Sequence, residues 1–353
     1  MTFTGNSIRY DIEALRVIAM LCIVSGHCFA VYGVWSTGLQ VDNISEVNLY
    51  RAVNPLLIYF ALPVFTAISG YLIGYRGTFS TPSFSYSSFF LRKVKRLYVP
   101  ALFFSLLYAL LFQKEVFSGF DTSVKLLIEG QGHLWFLYML FLLYVLSFPI
   151  YLMLRRGSKW SCVLVSLGIC FVSCFFPLET SIFTIFFYQV FFLLGALIGD
   201  KHKQYENEVK MTNIVGHILI RCVAYILLFY MFSIVKESSC VSYVADACPR
   251  LHYFQHWFFR LLVGLLSILF TFSMFPVSVK PNKTLVGFAS MSYKIYIVHQ
   301  FVLVGLLTYA QPQLSALHKI MPWLFPFVLC FLVLSSSLFI SLLFSKIPYL
   351  KSL

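Results

Sequence analysis

Charged residues are scarce in this sequence of 353 residues: Asp, Glu, Lys and Arg make up 11% of it, whereas 60% is hydrophobic. A water-soluble protein carries roughly a quarter charged residues. The scarcity excludes a soluble globular protein, because a water-exposed fold of this length could not bury so much apolar surface. Lipid must therefore be the solvent for much of the chain.

Long polar segments are also missing, and no second, soluble domain is expected. The loops reach at most about 25 residues, and the first apolar run is too long for a cleavable signal peptide. Since about 20 helical residues cross the hydrocarbon of a bilayer, we predict an all-α polytopic membrane protein with about ten transmembrane helices and a single domain over residues 1–353. The apolar runs lie at 14–34, 52–74, 97–113, 134–154, 160–177, 181–199, 212–235, 256–276, 285–309 and 322–345.

Acidic residues are fewer than basic ones, 13 against 26, and the net charge is +13. Counted over alternate loops, one side of the membrane holds 17 Lys and Arg residues and the other holds 6. Positively charged loops stay in the cytoplasm, so both termini are predicted to be cytoplasmic. The excess of basic residues is therefore interpreted as an orientation signal, and some of these residues are candidates for an anion site. No nucleic-acid partner is expected.

The nine cysteines show no spacing with histidine that is typical of zinc ligands, so no metal site is predicted. Seven of them lie in apolar runs, where cysteine behaves as a small hydrophobic side chain. Cys240 and Cys248 share one outer loop. In an oxidising periplasm the pair is a candidate disulfide, with two free thiols as the alternative.

The first apolar run carries the richest set of ionisable residues, which are costly within a membrane and indicate function. Asp11, Glu13 and Arg16 precede His27. Eleven helical residues make close to three full turns, so Arg16 and His27 share one helix face, about 16 Å apart along the axis. Alone, Arg16 is a membrane-interface anchor and His27 a helix-to-helix hydrogen-bonding residue. Together they favour a lined cavity with a phosphate-binding arginine at its mouth and a histidine base deeper inside.

A basic cluster lies before the third run. Arg92 and Arg96 are four residues apart and would share a face of an α-helix. One interpretation is a plain cytoplasmic orientation signal. The other is an anion clamp, because two guanidinium groups can share one diphosphate or polyphosphate.

Two further clusters lie in the fourth and ninth runs. His133 and Trp135 open the fourth run from the outer side, either as membrane-interface residues or as a stacking surface for a sugar. Ser292, Tyr296 and His299 fall on one helical stripe of the ninth run. That stripe serves either hydrogen bonding between helices or binding of an acceptor substrate.

In their order along the chain, these elements resemble the acyltransferase 3 family of integral membrane acyltransferases. Glu13 stands where many relatives have Asp, which keeps the charge. The elements are Asp11-Ile-Glu13-Ala-Leu-Arg16 with His27, Pro63-Val-Phe65-Thr-Ala-Ile-Ser69-Gly70-Tyr71-Leu72, Arg92-x3-Arg96 with Pro100, His133-Leu-Trp135-Phe136-Leu, and Ser292-Tyr293-x2-Tyr296-x2-His299.

The resemblance implies a standalone, multi-pass O-acetyltransferase of the bacterial inner membrane. Such an enzyme moves an acyl group, usually acetyl from acetyl-CoA, to a hydroxyl of a cell-envelope glycan such as O-antigen, capsule, exopolysaccharide or common antigen, which is lipid-linked or at the surface. No permanently bound cofactor is expected; acetyl-CoA is a substrate.

The resemblance and the helix geometry together suggest roles for the residues named above. Arg16, Arg92 and Arg96 would hold the phosphates of coenzyme A, and Asp11 or Glu13 would orient Arg16. His27 would act as a general base, with an acyl-histidine intermediate as the alternative. The acceptor would be bound by a second group of residues, namely His133, Trp135, Tyr296 and His299.

Two other functions fit the buried charges. A transporter or flippase of lipid-linked sugars would use them as a substrate path, but transporters often show inverted repeats and matching broken helices. The sequence shows only isolated interruptions such as Asn54-Pro55 and Pro63. A membrane sensor or scaffold without chemistry is the third interpretation. Transfer of label from acetyl-CoA to glycan distinguishes the acyltransferase from the other two.

Overall fold

The computed structural model describes helices joined by turns, over residues 10–32, 44–80, 83–155, 159–175, 181–204, 223, 225–226, 230, 249–272 and 283–346. The described α-helices with assigned bounds are α1 (Tyr10–Phe29), α2 (Ile44–Tyr75), α3 (Tyr86–Lys93), α4 (Val99–Phe112), α5 (Phe120–Glu129), α6 (Trp135–Arg155), α7 (Lys159–Val172), α8 (Ser181–Gln204), α9 (Pro249–Phe272), α10 (Lys283–Tyr309), α11 (Gln311–Ile320) and α12 (Phe325–Phe344).

Many of these helices are long and apolar enough to cross a membrane, which confirms the all-α polytopic membrane fold. A bent pair, Phe120–Glu129 with Gly132–Leu146, makes an eighth candidate span with a bend of 54°. The predicted run 160–177 is a shorter helix, and most of run 212–235 lies outside the described residues, so ten spans and cytoplasmic termini stay predictions. Among the described residues, the seven single candidate spans are Tyr10–Tyr32, Leu49–Tyr75, Tyr86–Phe112, Thr184–His202, Phe254–Phe272, Lys283–Tyr309 and Phe325–Phe344.

The third span begins earlier than predicted, and the basic cluster lies within it rather than in a loop. α3 continues into a π-helical segment, Val94–Tyr98, and then into α4. Pro100 explains the wider turn, because it has no N–H to donate to the carbonyl of Arg96 four residues earlier. The Val99 N–H bonds the Val94 carbonyl instead. The hydroxyl of Tyr293 donates to the Arg96 carbonyl at 2.7 Å, replacing the missing helical bond.

The chain divides into two compact units, each assembled from three separate stretches. The first unit comprises Met1–Ile12, Leu62–Tyr86 and Leu142–Pro281. The second comprises Glu13–Ala61, Ser87–Phe141 and Asn282–Leu353. The prediction of one domain over residues 1–353 stays a prediction.

The first unit contains a very close helix crossing between α2 and α8. Each helix supplies two glycines four residues apart, Gly70 with Gly74 and Gly195 with Gly199. A Cβ atom added to any of them would lie 1.8 to 2.2 Å from a backbone carbonyl oxygen of the other helix. Lipid offers no hydrophobic drive to bring helices together, so small residues that let two backbones touch are what hold such a pair.

The second unit has an aliphatic and aromatic core that fixes one side of α1. Val24 and Cys28 are fully buried in it and flank His27 in the sequence. The packing of α1 against α10 and α12 therefore sets the direction in which His27 leaves its helix. The buried residues of this core are Met20, Val24, Cys28, Phe29, Val31, Tyr32, Tyr50, Ile295, Leu303, Leu307, Leu314, Phe325, Leu329 and Val333.

Candidate active site

The charged residues of the first span lie at the beginning of α1. A guanidinium nitrogen of Arg16 lies 2.8 Å from a carboxylate oxygen of Glu13, one helical turn away, and both side chains are partly exposed. Asp11 is buried, and its carboxylate accepts the backbone N–H of Ile12 at 2.8 Å. Of the two carboxylates expected to orient Arg16, Glu13 makes the contact.

His27 lies in the last turn of α1, eleven residues beyond Arg16. The helix between them is unbroken, so the two residues are about 16 Å apart along its axis. The carbonyls of a last helical turn lack helical partners and carry partial negative charge. The side-chain amide of Asn54 donates to one of them, that of Gly26, at 2.6 Å. This hydrogen bond holds the end of α1 against α2. The partial negative charge on the other carbonyls at this end of α1 stabilises positive charge on His27.

Three histidines from distant parts of the chain meet in the second unit. The ring centroids of His27 and His299 are 5.0 Å apart, and those of His133 and His299 are 4.7 Å apart. The rings of His27 and His133 are 6.4 Å apart and nearly perpendicular. His133 and His299 are buried, at 4% and 0% exposure, whereas His27 is partly exposed. We call these three residues the histidine trio.

His133 is held in place by α10 at three points. Its backbone N–H donates to the side-chain oxygen of Gln300 at 2.7 Å, and its ring Nε2 lies 3.0 Å from the carbonyl oxygen of Ile297. Its own carbonyl accepts a short hydrogen bond from the hydroxyl of Tyr296. Nδ1 of the His133 ring is buried, and no described residue bonds it. That nitrogen is a candidate acceptor for a substrate hydroxyl.

Two glycines shape the turn that delivers His133. Gly130 and Gly132 have φ angles of 77° and 55°, in the left-handed region that glycine adopts without strain. A Cβ atom at Gly130 would lie 2.6 Å from the ring of Tyr138. Between them, the N–H of Gln131 donates to the hydroxyl of Ser105 at 3.1 Å. The turn is therefore specified by backbone conformation as well as by its side chains.

Gln300 is expected to stabilise this turn, because it accepts an N–H at the start of a short helical turn that has no helical partner. Replacing it by Met removes the acceptor and leaves the buried N–H of His133 unsatisfied, which should cost about 1–3 kcal/mol in the free energy of unfolding. Thermal unfolding of the purified protein in detergent measures the change. The matched control is Gln189→Met, because the amide of Gln189 makes a longer bond, 3.4 Å, to Ser166. Equal losses from both changes would contradict the role given to Gln300.

The remaining predicted site residues are not members of the histidine trio, and two of them lie outside the described residues. Arg92 and Arg96 are exposed, Arg92 at the end of α3 and Arg96 within the π-helical segment. Trp135 is half-buried and packs edge-on against the ring of Phe136. The candidate disulfide of Cys240 and Cys248 lies outside the described residues.

The histidine trio does not form a metal site. In the described part of the chain, no group of three or more His, Cys, Asp or Glu side chains could hold a metal ion. The geometry gives the reason, because Nδ1 of His27 and Nε2 of His299 are 2.9 Å apart and bond each other.

Some residues of this site were not found from the sequence. Gln300 follows His299 directly, and its amide gave no pattern to recognise. Asn54 was noted only as a helix interruption beside Pro55, although α2 continues through both. The one available signal was Gly130-Gln-Gly132 ahead of His133, since two glycines so close together indicate positive φ angles.

Comparisons with known proteins add one match. A family model described as an acyltransferase domain matches residues 9–342, which include the histidine trio and the arginines at 16, 92 and 96. No curated protein and no solved structure matches the chain.

Proposed function

The chain belongs to the acyltransferase 3 family and is a multi-pass membrane acyltransferase, and we propose that it transfers an acetyl group from acetyl-CoA to a hydroxyl of a cell-envelope glycan in a bacterial inner membrane. The observation that carries the proposal is His27, a partly exposed imidazole at the end of an apolar helix, hydrogen-bonded to a second, buried imidazole. An imidazole in a site shielded from bulk water is suited to removing a proton from a hydroxyl.

The donor is proposed to bind through the three arginines. The nucleotide end of coenzyme A is polyanionic, and guanidinium groups bind phosphates through two parallel hydrogen bonds. The Arg16 guanidinium is oriented by Glu13, about 16 Å from His27 along α1. Tyr293 bonds the Arg96 backbone and precedes His299 by six residues, about 9 Å along α10. A long, thin pantetheine arm suits these separations between the anion site and the base.

The proposed reaction is a direct transfer. His27 takes the proton of the glycan hydroxyl while the hydroxyl oxygen attacks the thioester carbonyl carbon. The carbon–sulfur bond breaks, and the thiolate of coenzyme A leaves and takes the proton back from the His27 imidazolium. The products are an acetyl ester and coenzyme A. A covalent acyl-histidine is the alternative, and it predicts ping-pong kinetics.

The acceptor is proposed to bind near His133 and Trp135. The unbonded Nδ1 of His133 can accept a hydrogen bond from a sugar hydroxyl, and the half-buried Trp135 ring offers an apolar face. Tyr296 supports this group through its bond to the His133 carbonyl. The glycan's chemistry, a dense array of hydroxyls, suits a site with imidazole acceptors and aromatic walls.

The test is a transfer assay with the purified protein in lipid vesicles. Acetyl-CoA labelled in the acetyl group is supplied with extracted envelope glycan, and label is counted in the glycan after separation from the donor. The expected result is an alkali-labile acetyl ester on the glycan. Movement of a lipid-linked glycan across the vesicle membrane without label transfer would overturn the proposal in favour of a flippase.

Removing the arginine clamp should weaken donor binding. The double change Arg92→Ala and Arg96→Ala is expected to raise the apparent KM for acetyl-CoA by about tenfold or more, since a charge-assisted hydrogen bond is worth roughly 1.5–3 kcal/mol. The matched variant carries Lys at both positions, which keeps the charge but not the planar guanidinium group. Its KM should fall between those of the wild-type protein and the double Ala variant. A double Ala variant with the wild-type KM would remove these arginines from donor binding.

A further inference from the structure

His299 presents its two ring nitrogens to two different partners. Nδ1 lies 2.6 Å from the carbonyl oxygen of Tyr296, one turn earlier on α10. A carbonyl oxygen can only accept, so Nδ1 carries the proton of this bond. In a neutral imidazole the other nitrogen then holds a lone pair. Nε2 of His299 is therefore a hydrogen-bond acceptor, and a backbone carbonyl fixes that assignment.

The second bond transmits this assignment to His27. Nε2 of His299 lies 2.9 Å from Nδ1 of His27, and the planes of the two rings are inclined by 24°. Since Nε2 accepts, Nδ1 of His27 must donate and must carry the proton. In a neutral His27 ring the lone pair is then on Nε2, on the other edge of the imidazole. His27 therefore donates a hydrogen bond to His299, and His299 donates one to the carbonyl of Tyr296.

We infer that His299 is a positioning residue that fixes the tautomer of His27, so that the basic nitrogen of His27 is Nε2. The inference rests on the proposed function of His27 as the base. His299 is fully buried and acts through His27 rather than on the substrate. It replaces the acceptor-side role that the sequence suggested for this residue.

The same bond also acts during the reaction. When Nε2 of His27 takes the hydroxyl proton, the ring becomes an imidazolium, and its Nδ1–H is still bonded to Nε2 of His299. A hydrogen bond from a cation is roughly twice as strong as one between neutral groups. His299 thus stabilises the charged intermediate without receiving a proton itself. Both protons stay on His27 until the leaving thiolate takes one.

His133 does not share this role, although its ring contacts that of His299. Its Nε2 lies 3.0 Å from the carbonyl of Ile297 and therefore donates to it. Both buried rings donate an N–H to a carbonyl of α10, but it is the His299 ring that accepts the hydrogen bond from His27. Changes at His133 are accordingly expected to leave the tautomer of His27 unaltered.

The tautomer can be read directly from the full chain in lipid vesicles. Histidine labelled with ¹³C and ¹⁵N in the ring is incorporated, and solid-state NMR distinguishes a proton on Nδ1 from one on Nε2. The signals of His27 are those lost in the His27→Ala variant. The expected result is a proton on Nδ1 in the wild-type protein and a shift towards Nε2 in His299→Leu, which fills similar space without an acceptor. A wild-type His27 with its proton on Nε2 would overturn the inference.

Kinetics supply the second readout. His299→Leu should lower kcat about 10²-fold with little change in the KM for acetyl-CoA, and His299→Gln, whose amide oxygen is an acceptor, should recover most of the loss. The matched control is His318→Leu, a buried histidine of α11 outside the histidine trio, with kcat expected to stay at the wild-type level. An unchanged kcat in His299→Leu would also contradict the inference. Absence of transfer by the wild-type protein would instead refute the proposed function, since the NMR result does not depend on activity.

Discussion

His27→Ala is expected to reduce acyl transfer by roughly 10²- to 10⁴-fold, the range that a positioned general base contributes. The change removes the partly exposed imidazole of the histidine trio, and the two rings that remain are buried. Each of these two rings donates one N–H to a backbone carbonyl of α10. The loss should appear in kcat, whereas the KM for acetyl-CoA should stay close to the wild-type value.

The measurement is label transfer at equal amounts of folded protein, judged by a single symmetric peak in gel filtration. His318→Ala serves as control, because His318 is also a buried histidine but packs against Tyr32 and Phe325. Added imidazole should restore part of the activity to His27→Ala by entering the vacated space. Transfer at the wild-type rate in His27→Ala would exclude His27 from the chemistry.

The second large effect concerns stability and lies in the first unit. Gly70→Ala and Gly195→Ala should each lower the free energy of unfolding by about 3 kcal/mol or more, the upper range for overpacking. The new Cβ would lie 1.8 Å from the Phe192 carbonyl oxygen or 2.0 Å from that of Ala67. These neighbours are backbone atoms of packed helices, so the whole crossing of α2 and α8 would have to open.

Unfolding in detergent, followed by heating or denaturant, measures this loss. Two glycines provide matched controls, because a Cβ at Gly168 or Gly287 would meet nothing within 4 Å. Ala at either control position should leave stability unchanged or raise it slightly, since Ala favours helix over Gly by about 1 kcal/mol. A loss of the same size at the control positions would show that the effect does not come from the close crossing of α2 and α8.

The helices were predictable from the sequence because lipid imposes a simple rule. A segment that crosses hydrocarbon must satisfy its own backbone and present apolar side chains, and runs of the right length reveal it. The third span shows where the rule stops. Its first half is polar enough to be taken for a loop, and its π-helical turn depends on Pro100 and on the Tyr293 hydroxyl from a distant helix. Because this half is rich in charged residues, the sequence predicts a start of the third span that is too late in the chain.

The histidine trio was predictable in its members but not in its assembly. His27 stood out as an ionisable residue in a span, and Tyr296 and His299 shared a stripe on one helix. The spacing of residues along one helix does not show which other helix that face packs against. The bond between His27 and His299 therefore required the tertiary structure, and the positioning role proposed for His299 rests on that bond.

The glycine crossing shows the same limit. Gly70 was visible as part of a family motif, and the pairs Gly70 with Gly74 and Gly195 with Gly199 have the same spacing in the sequence. Such a spacing indicates a surface for close packing. It does not identify the partner helix, because any other helix with small residues would satisfy it. The carbonyl contacts that pair the two sets come from the structure alone.

The long separation in sequence between members of the histidine trio has a consequence for the synthesis of the enzyme. His27 and His299 are 272 positions apart in the chain. At about 5–20 residues per second, a ribosome delivers His299 roughly 15–55 seconds after His27. During synthesis the first span therefore occupies the translocation machinery and the bilayer before its buried partner exists. On the proposed mechanism, a nascent or prematurely terminated chain has no fixed base and does not consume acetyl-CoA, so translation itself delays the onset of activity until α10 has been inserted.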